Sequence, residues 1–296
     1  MSDINDDIMS TIRKYRKRGP FRDIFHRIMQ NRGARVGIVI LGIVFLTLFC
    51  SLFISFESVT DYIAKDRFLP PSLKYPFGTD NMGRNLFLRV IYGTRYSILI
   101  GFGVVTFALF TGVSLGSVAG YYGGTVENII MRCADILSSI PGFLLSMVLV
   151  IVLGQNIPNL IFAVAVSSIP MFTRVSRASV LTVRNYEFVE AARAIGFHDF
   201  RIIFSQVLPN ALSPVIVATS NSIGQAILTA AALSYLGFGV PVPRPEWGAL
   251  ISAGREHARA APWLMMLPGV AIMLVVLSLN MLGDGLRDAL DPKLKR

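Results

Sequence analysis

Reactive and charged side chains are scarce in this chain, and the scarcity narrows what it can do. Only 2 Cys and 3 His occur among 296 residues. Cys50 falls in an apolar run and Cys133 in a short polar connection, which argues against a disulfide or a shared metal site. His26, His198 and His257 lie in three separate polar stretches. No GxxxxGKS/T phosphate loop, HExxH or CxxC is present, so the chain reads as a non-enzyme with no metal site. Charged residues make up 16%, and the acidic ones avoid the apolar runs, leaving no intramembrane proton relay or acid/base pair in view. A solute carrier built this way has to use an ion gradient, conduct passively or borrow its engine from a partner.

Apolar residues, by contrast, are abundant. At 53% hydrophobic residues and a mean hydropathy of +0.58, the composition is that of an all-α polytopic membrane protein. A helix needs roughly 20 apolar residues to cross a hydrocarbon core. Six runs qualify: 34–56, 97–121, 136–153, 160–180, 211–236 and 263–282. Backbone groups in lipid must be satisfied within the segment, which selects helices at this length. The expected organisation is a basic N-terminal segment (1–33), an anchor helix (34–56), an outward loop (57–96), a membrane core (97–284) and a short tail (285–296). A surface loop at 181–210 interrupts the core.

The formal charge of +10 could suggest nucleic acid, but nine basic residues from Arg13 to Arg35 crowd the start of the first run. That placement fits cytoplasmic retention and contact with anionic membrane lipid. Six crossings then return the C-terminus to the cytoplasm. Lys65, Arg67, Lys74, Arg84, Arg89 and Arg95 strain this orientation, and Asp61, Asp66 and Asp80 offset only part of their charge. The heavier N-terminal cluster decides the assignment.

Three local patterns stand out. Residues 187–209 read as two short amphipathic helices hinged at Gly196, with Asp199 capping the second and Pro209 closing the unit. In the first, Phe188, Ala191, Ala192 and Ile195 form the apolar face, while Glu187, Glu190 and Arg193 turn outward. In the second the apolar stripe is Phe200, Ile203, Phe204 and Val207. Ala108, Gly112, Gly116 and Gly120 recur every four residues, a small-residue stripe for close helix packing. Asn221, Ser222, Gln225 and Thr229 share one helical face and either bond a neighbouring helix or line a wet pathway.

Glu190, Ala191, Ala192, Gly196, Leu208 and Pro209 match the EAA signature of ABC importer permeases in both type and spacing. Residues 77–97, 234–251 and 262–294 also resemble the C-type permeases of dipeptide, oligopeptide and nickel importers. Gln206 stands where the general pattern favours Ile, and Asn85 where the branch commonly has Asp. The resemblance implies a type I ABC importer (MetI-like) permease fold in a bacterial inner membrane. Its implied partners are a homologous B-type permease, two cytoplasmic ATP-binding subunits and an extracytoplasmic solute-binding protein. ATP and Mg would be bound by the partners, with no cofactor in this chain. It further implies ATPase coupling through Glu187, Glu190, Ala191, Ala192, Arg193, Gly196, Leu208 and Pro209. Asp80, Arg84, Trp247 and Arg255 are the surfaces offered to the binding protein, or braces of their own loops. The cargo is expected to be a peptide, with nickel chelates and opines as alternatives in the same branch. An ion-coupled carrier would need mid-membrane carboxylates or broken helices, and a purely structural membrane protein would carry the hairpin without a pathway.

Overall fold

The computed structural model describes residues 20–290, so the basic positions Arg13 to Arg18 and the tail residues Lys293, Lys295 and Arg296 lie outside the described residues. Eleven helices are named here in chain order: α1 (Pro20–Gln30), α2 (Arg32–Ser51), α3 (Phe56–Thr60), α4 (Leu86–Tyr122), α5 (Gly124–Ser139), α6 (Gly142–Leu153), α7 (Ile157–Val183), α8 (Glu187–Ala194), α9 (Asp199–Tyr235), α10 (Trp247–Gly254) and α11 (Trp263–Leu290). Five of them, α2, α4, α7, α9 and α11, are long and apolar enough to cross a membrane.

The sixth expected crossing is not a straight helix. α5 and α6 meet at an 84° bend across Ile140 and Pro141. Pro141 has no N–H to continue the ladder, and its ring pushes Ile140 into the extended conformation seen there (φ −95°, ψ 129°). The apolar arm α6 is 12 residues long, about 18 Å at 1.5 Å per residue, which is too short to span alone. Cys133, expected in a connection, sits exposed within α5.

α4 and α7 form the central pair. Their backbones approach through the small-residue stripe: a Cβ on Gly112 would fall 2.9 Å from the Ile169 carbonyl, and one on Gly116 only 2.3 Å from that of Thr173. The Ser117 and Ser176 hydroxyls bond across the same seam at 3.0 Å. The stripe is therefore packing, as its spacing predicts. It also spells Gly-Val-Ser-Leu-Gly, the pattern of a nucleophile elbow. Here it is mid-helix, and Ser114 Oγ donates to its own helix at the Phe110 carbonyl, so the strand-to-helix turn that pattern needs is missing. α9 packs on both α4 and α7, α11 packs on α9, and the anchor α2 lies against α11. Gly37 and Gly285 make that last approach possible, facing the Ser278 carbonyl and Ala34.

Two boundaries differ most from the sequence expectation, the starts of α4 and α9. α4 begins eleven residues before 97 because Asn85 caps it, its side chain accepting from Phe87 N and Leu88 N. Asn thus does here what a carboxylate could do at that position. The second half of the hairpin is also not a separate helix. Asp199–Tyr235 is helical throughout, with a widened turn at Ile202–Val207 where Leu208 N–H reaches back to the Ile203 carbonyl. Pro209 would crowd the carbonyl of Ser205 in a regular turn, and widening relieves that contact.

Candidate functional site

The hairpin between α7 and α9 is built on Gly196. α8 ends there with Phe197 N–H bonded to the Ala192 carbonyl and Gly196 N–H to that of Arg193, and Gly196 takes φ +82°. This left-handed stop needs no Cβ and turns the chain back toward α9. Asp199 does not cap α9 through its side chain. Instead its Oδ1 accepts from the Tyr121 hydroxyl at 2.9 Å.

Tyr121, at the end of α4, is the bolt of the hairpin and was invisible in the sequence. Its hydroxyl also accepts from Arg193 Nε at 3.1 Å, and the Arg193 guanidinium lies over its ring. One oxygen therefore joins α4, α8 and the start of α9. Arg184 Nη1 adds a bond to the Gly120 carbonyl at 2.8 Å. Beneath them Val180, Val183, Val189, Ala192, Ile202, Ile203 and Val207 form a small core.

That core corrects the expected apolar face. α8 buries Val189 and Ala192, whereas Phe188, Ala191 and Ile195 are exposed, Ile195 by 70%. In the second arm Ile202, Ile203 and Val207 are buried and Phe200 is 73% exposed. The helix rotates to seat its β-branched residue against α7 and α9, which leaves large apolar side chains outside beside Glu187, Glu190 and Arg193. Exposed apolar groups rimmed by charge mark a protein contact. Leu208 and Pro209 lie within α9 at the root of the hairpin.

Across the molecule, three of the four proposed partner contacts are buried braces. Asp80 is 7% exposed and Arg84 8%. Asp80 accepts from Met82 N, Arg84 N and Arg84 Nε, the last at 2.7 Å, and Arg89 Nε lies 3.6 Å away. Trp247 is buried, its indole N–H donating to the Val90 carbonyl at 3.0 Å. Only Arg255 of the four is exposed, over the Tyr235 ring.

Beside Trp247 sits Glu246, 1% exposed. Its carboxyl accepts from Gly248 N and Ala249 N, each at 2.9 Å, and from Ser97 Oγ at 3.3 Å. Burial pushes its pKa up, against these hydrogen bonds, which pull it down. The Pro-rich stretch from Pro241 to Pro245 leads directly into Glu246 and α10. α10 inserts among the helices, where a Cβ on Gly248 would meet Ala231 Cα at 2.5 Å and one on Gly93 the Pro245 carbonyl at 2.1 Å.

The polar stripe of α9 divides. Ser222, Gln225 and Thr229 line a cavity of about 290 Å³ with Phe143 of α6 and Ser167, Ser168 and Met171 of α7. Asn221 faces elsewhere: a Cβ on Gly283 of α11 would fall 2.4 Å from its Oδ1, which is buried without a partner among the described residues. It is a packing residue and does not line this notch.

Comparison with known proteins agrees with the geometry. The family described as "Binding-protein-dependent transport system inner membrane component" matches residues 112–296, and the "N-terminal TM domain of oligopeptide transport permease C" matches residues 19–71. Among curated relatives, the dipeptide transport system permease protein DppC of Alkalihalophilus pseudofirmus is 43% identical, covering 95% of this chain and 93% of its own. DppC of Haemophilus influenzae is 40% identical, covering 94% and 96%. The glutathione transport system permease protein GsiD of Pectobacterium atrosepticum is 38% identical, covering 97% and 96%. Among solved structures, inward-facing MetNI methionine ABC transporter shares the fold with a TM-score of 0.57 at 18% identity, covering 70% of this chain and 98% of that one. With all-helical architecture, an EAA-type hairpin and these matches in agreement, the chain belongs to the binding-protein-dependent transport system inner membrane components, as a multi-pass permease subunit.

Proposed function

We propose that this chain is the C-type half of a heterodimeric permease in an ATP-driven importer of peptides. Two cytoplasmic subunits bind ATP and Mg²⁺, and a solute-binding protein delivers cargo on the opposite side. Both termini lie in the cytoplasm. The observation that carries the reading is the hairpin. Phe188, Ile195 and Phe200 stand exposed beside Glu187, Glu190 and Arg193, yet the same element is bolted through Tyr121 and the small core to α4, α7 and α9. A docking face fastened to three spans converts closure of a partner into movement of the spans. The absence of a phosphate loop in this chain leaves hydrolysis to that partner.

Peptide cargo is supported by the relatives, which are named for dipeptide and glutathione transport. An ion-coupled carrier gains a broken helix at Pro141, but the acids on α5 are neutralised. Asp135 pairs with Arg174 at 2.9 Å and Glu127 accepts from Arg177 Nε at 2.6 Å. No group of three or more metal-binding side chains occurs among the described residues. Paired acids do not serve as free coupling sites.

Gly196→Pro and Glu190→Lys test the reading. With the chain still inserted at normal abundance, each is expected to leave ATP hydrolysis running without peptide uptake in the assembled transporter. Normal uptake by either variant at wild-type abundance would sink the coupling role.

A further inference from the structure

We propose that the notch between α6, α7 and α9 binds an uncharged amide group, so that the permease holds a peptide by its backbone and ignores the charge of its side chains; this rests on the importer reading above. The notch lies near mid-membrane. Gln225 is ten residues from the end of α9 at Tyr235, and Ser168 eleven from the start of α7 at Ile157, so each lies roughly 15 Å along its helix from that end, about half the thickness of a hydrocarbon core. A volume of about 290 Å³ is at the small end of ligand pockets, which run from roughly 300 to 1,000 Å³.

Hydrogen-bonding capacity in the notch is left over in a specific form. Ser168 Oγ donates to the Val164 carbonyl and Ser222 Oγ to that of Ala218, so both hydroxyls have spent their donor and face the cavity as acceptors. Ser167 likewise donates to Val164 and stands 3.0 Å from Ser146 Oγ. Gln225 is exposed and, like Thr229, has no side-chain hydrogen bond among the described residues. An unspent carboxamide in a membrane helix is costly against lipid, and an apolar ligand would leave it unpaired. It carries one acceptor and two donors in a plane, which is the complement of another amide: its N–H meets the peptide carbonyl and its carbonyl meets the peptide N–H.

Charge chemistry is excluded by the lining. No Asp, Glu, Lys, Arg or His is among the residues that line it, so an ionised group entering would lose water and find no counter-ion. Peptide termini and charged side chains are therefore kept outside the notch. A carrier that reads only the amide passes many sequences, and selection among them falls to the binding protein.

The test compares uptake of dialanine with that of its depsipeptide, in which an ester oxygen replaces the amide N–H. The importer, assembled with its co-purifying subunits and binding protein, is placed in proteoliposomes with internal ATP. Dialanine stands to lose two hydrogen bonds in Gln225→Leu and the depsipeptide one, so uptake should fall about 25-fold and about fivefold respectively, at a typical strength per bond. Because the binding protein is unchanged, the difference between the two losses belongs to the permease. Gln225→Glu, nearly the same shape, should shift the uptake ratio of Lys-Ala to Glu-Ala about fivefold toward the cation. Equal losses of dialanine and depsipeptide, no loss with either, an unchanged Lys-Ala to Glu-Ala ratio, or failure of both variants to assemble would overturn the proposal. Assembly failure would assign Gln225 to packing against the partner permease. A wild-type complex that moves no peptide would instead bring down the importer reading, and the notch proposal with it.

Discussion

Two clusters of charge, one at each end of this molecule, are used in opposite ways. At the loop end Asp80, Arg84, Arg89 and Glu246 are all buried, and the carboxylates are met by guanidinium groups or backbone N–H donors of the same chain. At the hairpin end Glu187, Glu190 and Arg201 stand exposed beside Phe188, Ile195 and Phe200. A charge whose partners lie inside the chain stabilises the fold; one left outside is available to another protein. Of the two roles the sequence leaves open for Asp80, Arg84 and Trp247, partner contact or bracing of their own loops, the contrast favours bracing. Their bonding is complete without a partner.

Breaking the loop end should therefore cost stability first and transport only as a consequence. The largest effect is expected for Asp80→Ala. It leaves Arg84 and Arg89 buried without an anion and strands the N–H groups of Met82 and Arg84. Removing one partner of a buried ion pair costs about 3–5 kcal/mol, so the detergent-purified chain should melt far earlier and accumulate poorly. Near-normal melting would mean that solvent reaches these arginines and that the loop end is no more closed than the hairpin.

Glu246→Gln should cost less, about 1–3 kcal/mol, since one side-chain carbonyl still accepts while the second acceptor becomes a donor facing an N–H. It also carries a pH signature. Burial raises the carboxyl pKa above 4.5, so the folded chain binds the proton more tightly than the unfolded one. The contribution is full below about 4.5 and is lost as pH rises through the folded-state value. Melting temperature should fall with rising pH in that window for the native chain, and Glu246→Gln should flatten the slope. An identical slope in the variant would assign the dependence to another group.

What could be read beforehand follows the range of the forces involved. Five of the six apolar runs, the Gly112 to Gly120 stripe and the Gly196 stop are local signals, and the structure places them as expected. The break at Pro141 was written locally too, but the continuous hydrophobicity of 142–153 masked it. α10 was hidden because a Glu in a Pro-rich stretch reads as surface. The missed signal is that Glu246 directly precedes an apolar eight-residue run, where a carboxylate caps a helix. Asp80 and Arg84, four apart, also spelled their pairing. Tyr121 gave no signal at all, since its partners are 72 and 78 residues away. The division of the α9 stripe into Asn221 and the notch depends on where α11 and α7 settle, which spacing within one helix does not encode.

Tyr121 is where the comparison sharpens most, because it belongs to the hairpin end yet bonds inward. Tyr121→Phe removes one oxygen. The ring stays in the small core, and Arg193 keeps a face to lie over. The two lost bonds are worth about 1–2 kcal/mol in total, so melting should move by only a few degrees and insertion should be unchanged. A merely structural residue would show that small loss and nothing more. A residue that ties the docking helix to α4 should in addition lower the peptide moved per ATP hydrolysed, because α8 can then shift without carrying the span. Several-fold lower transport per ATP at near-normal hydrolysis is the expected result. If hydrolysis and uptake fall together in proportion, or neither changes, force enters the spans through the apolar core beneath the hairpin, and the Tyr121 hydroxyl is a local brace of the kind that fills the loop end.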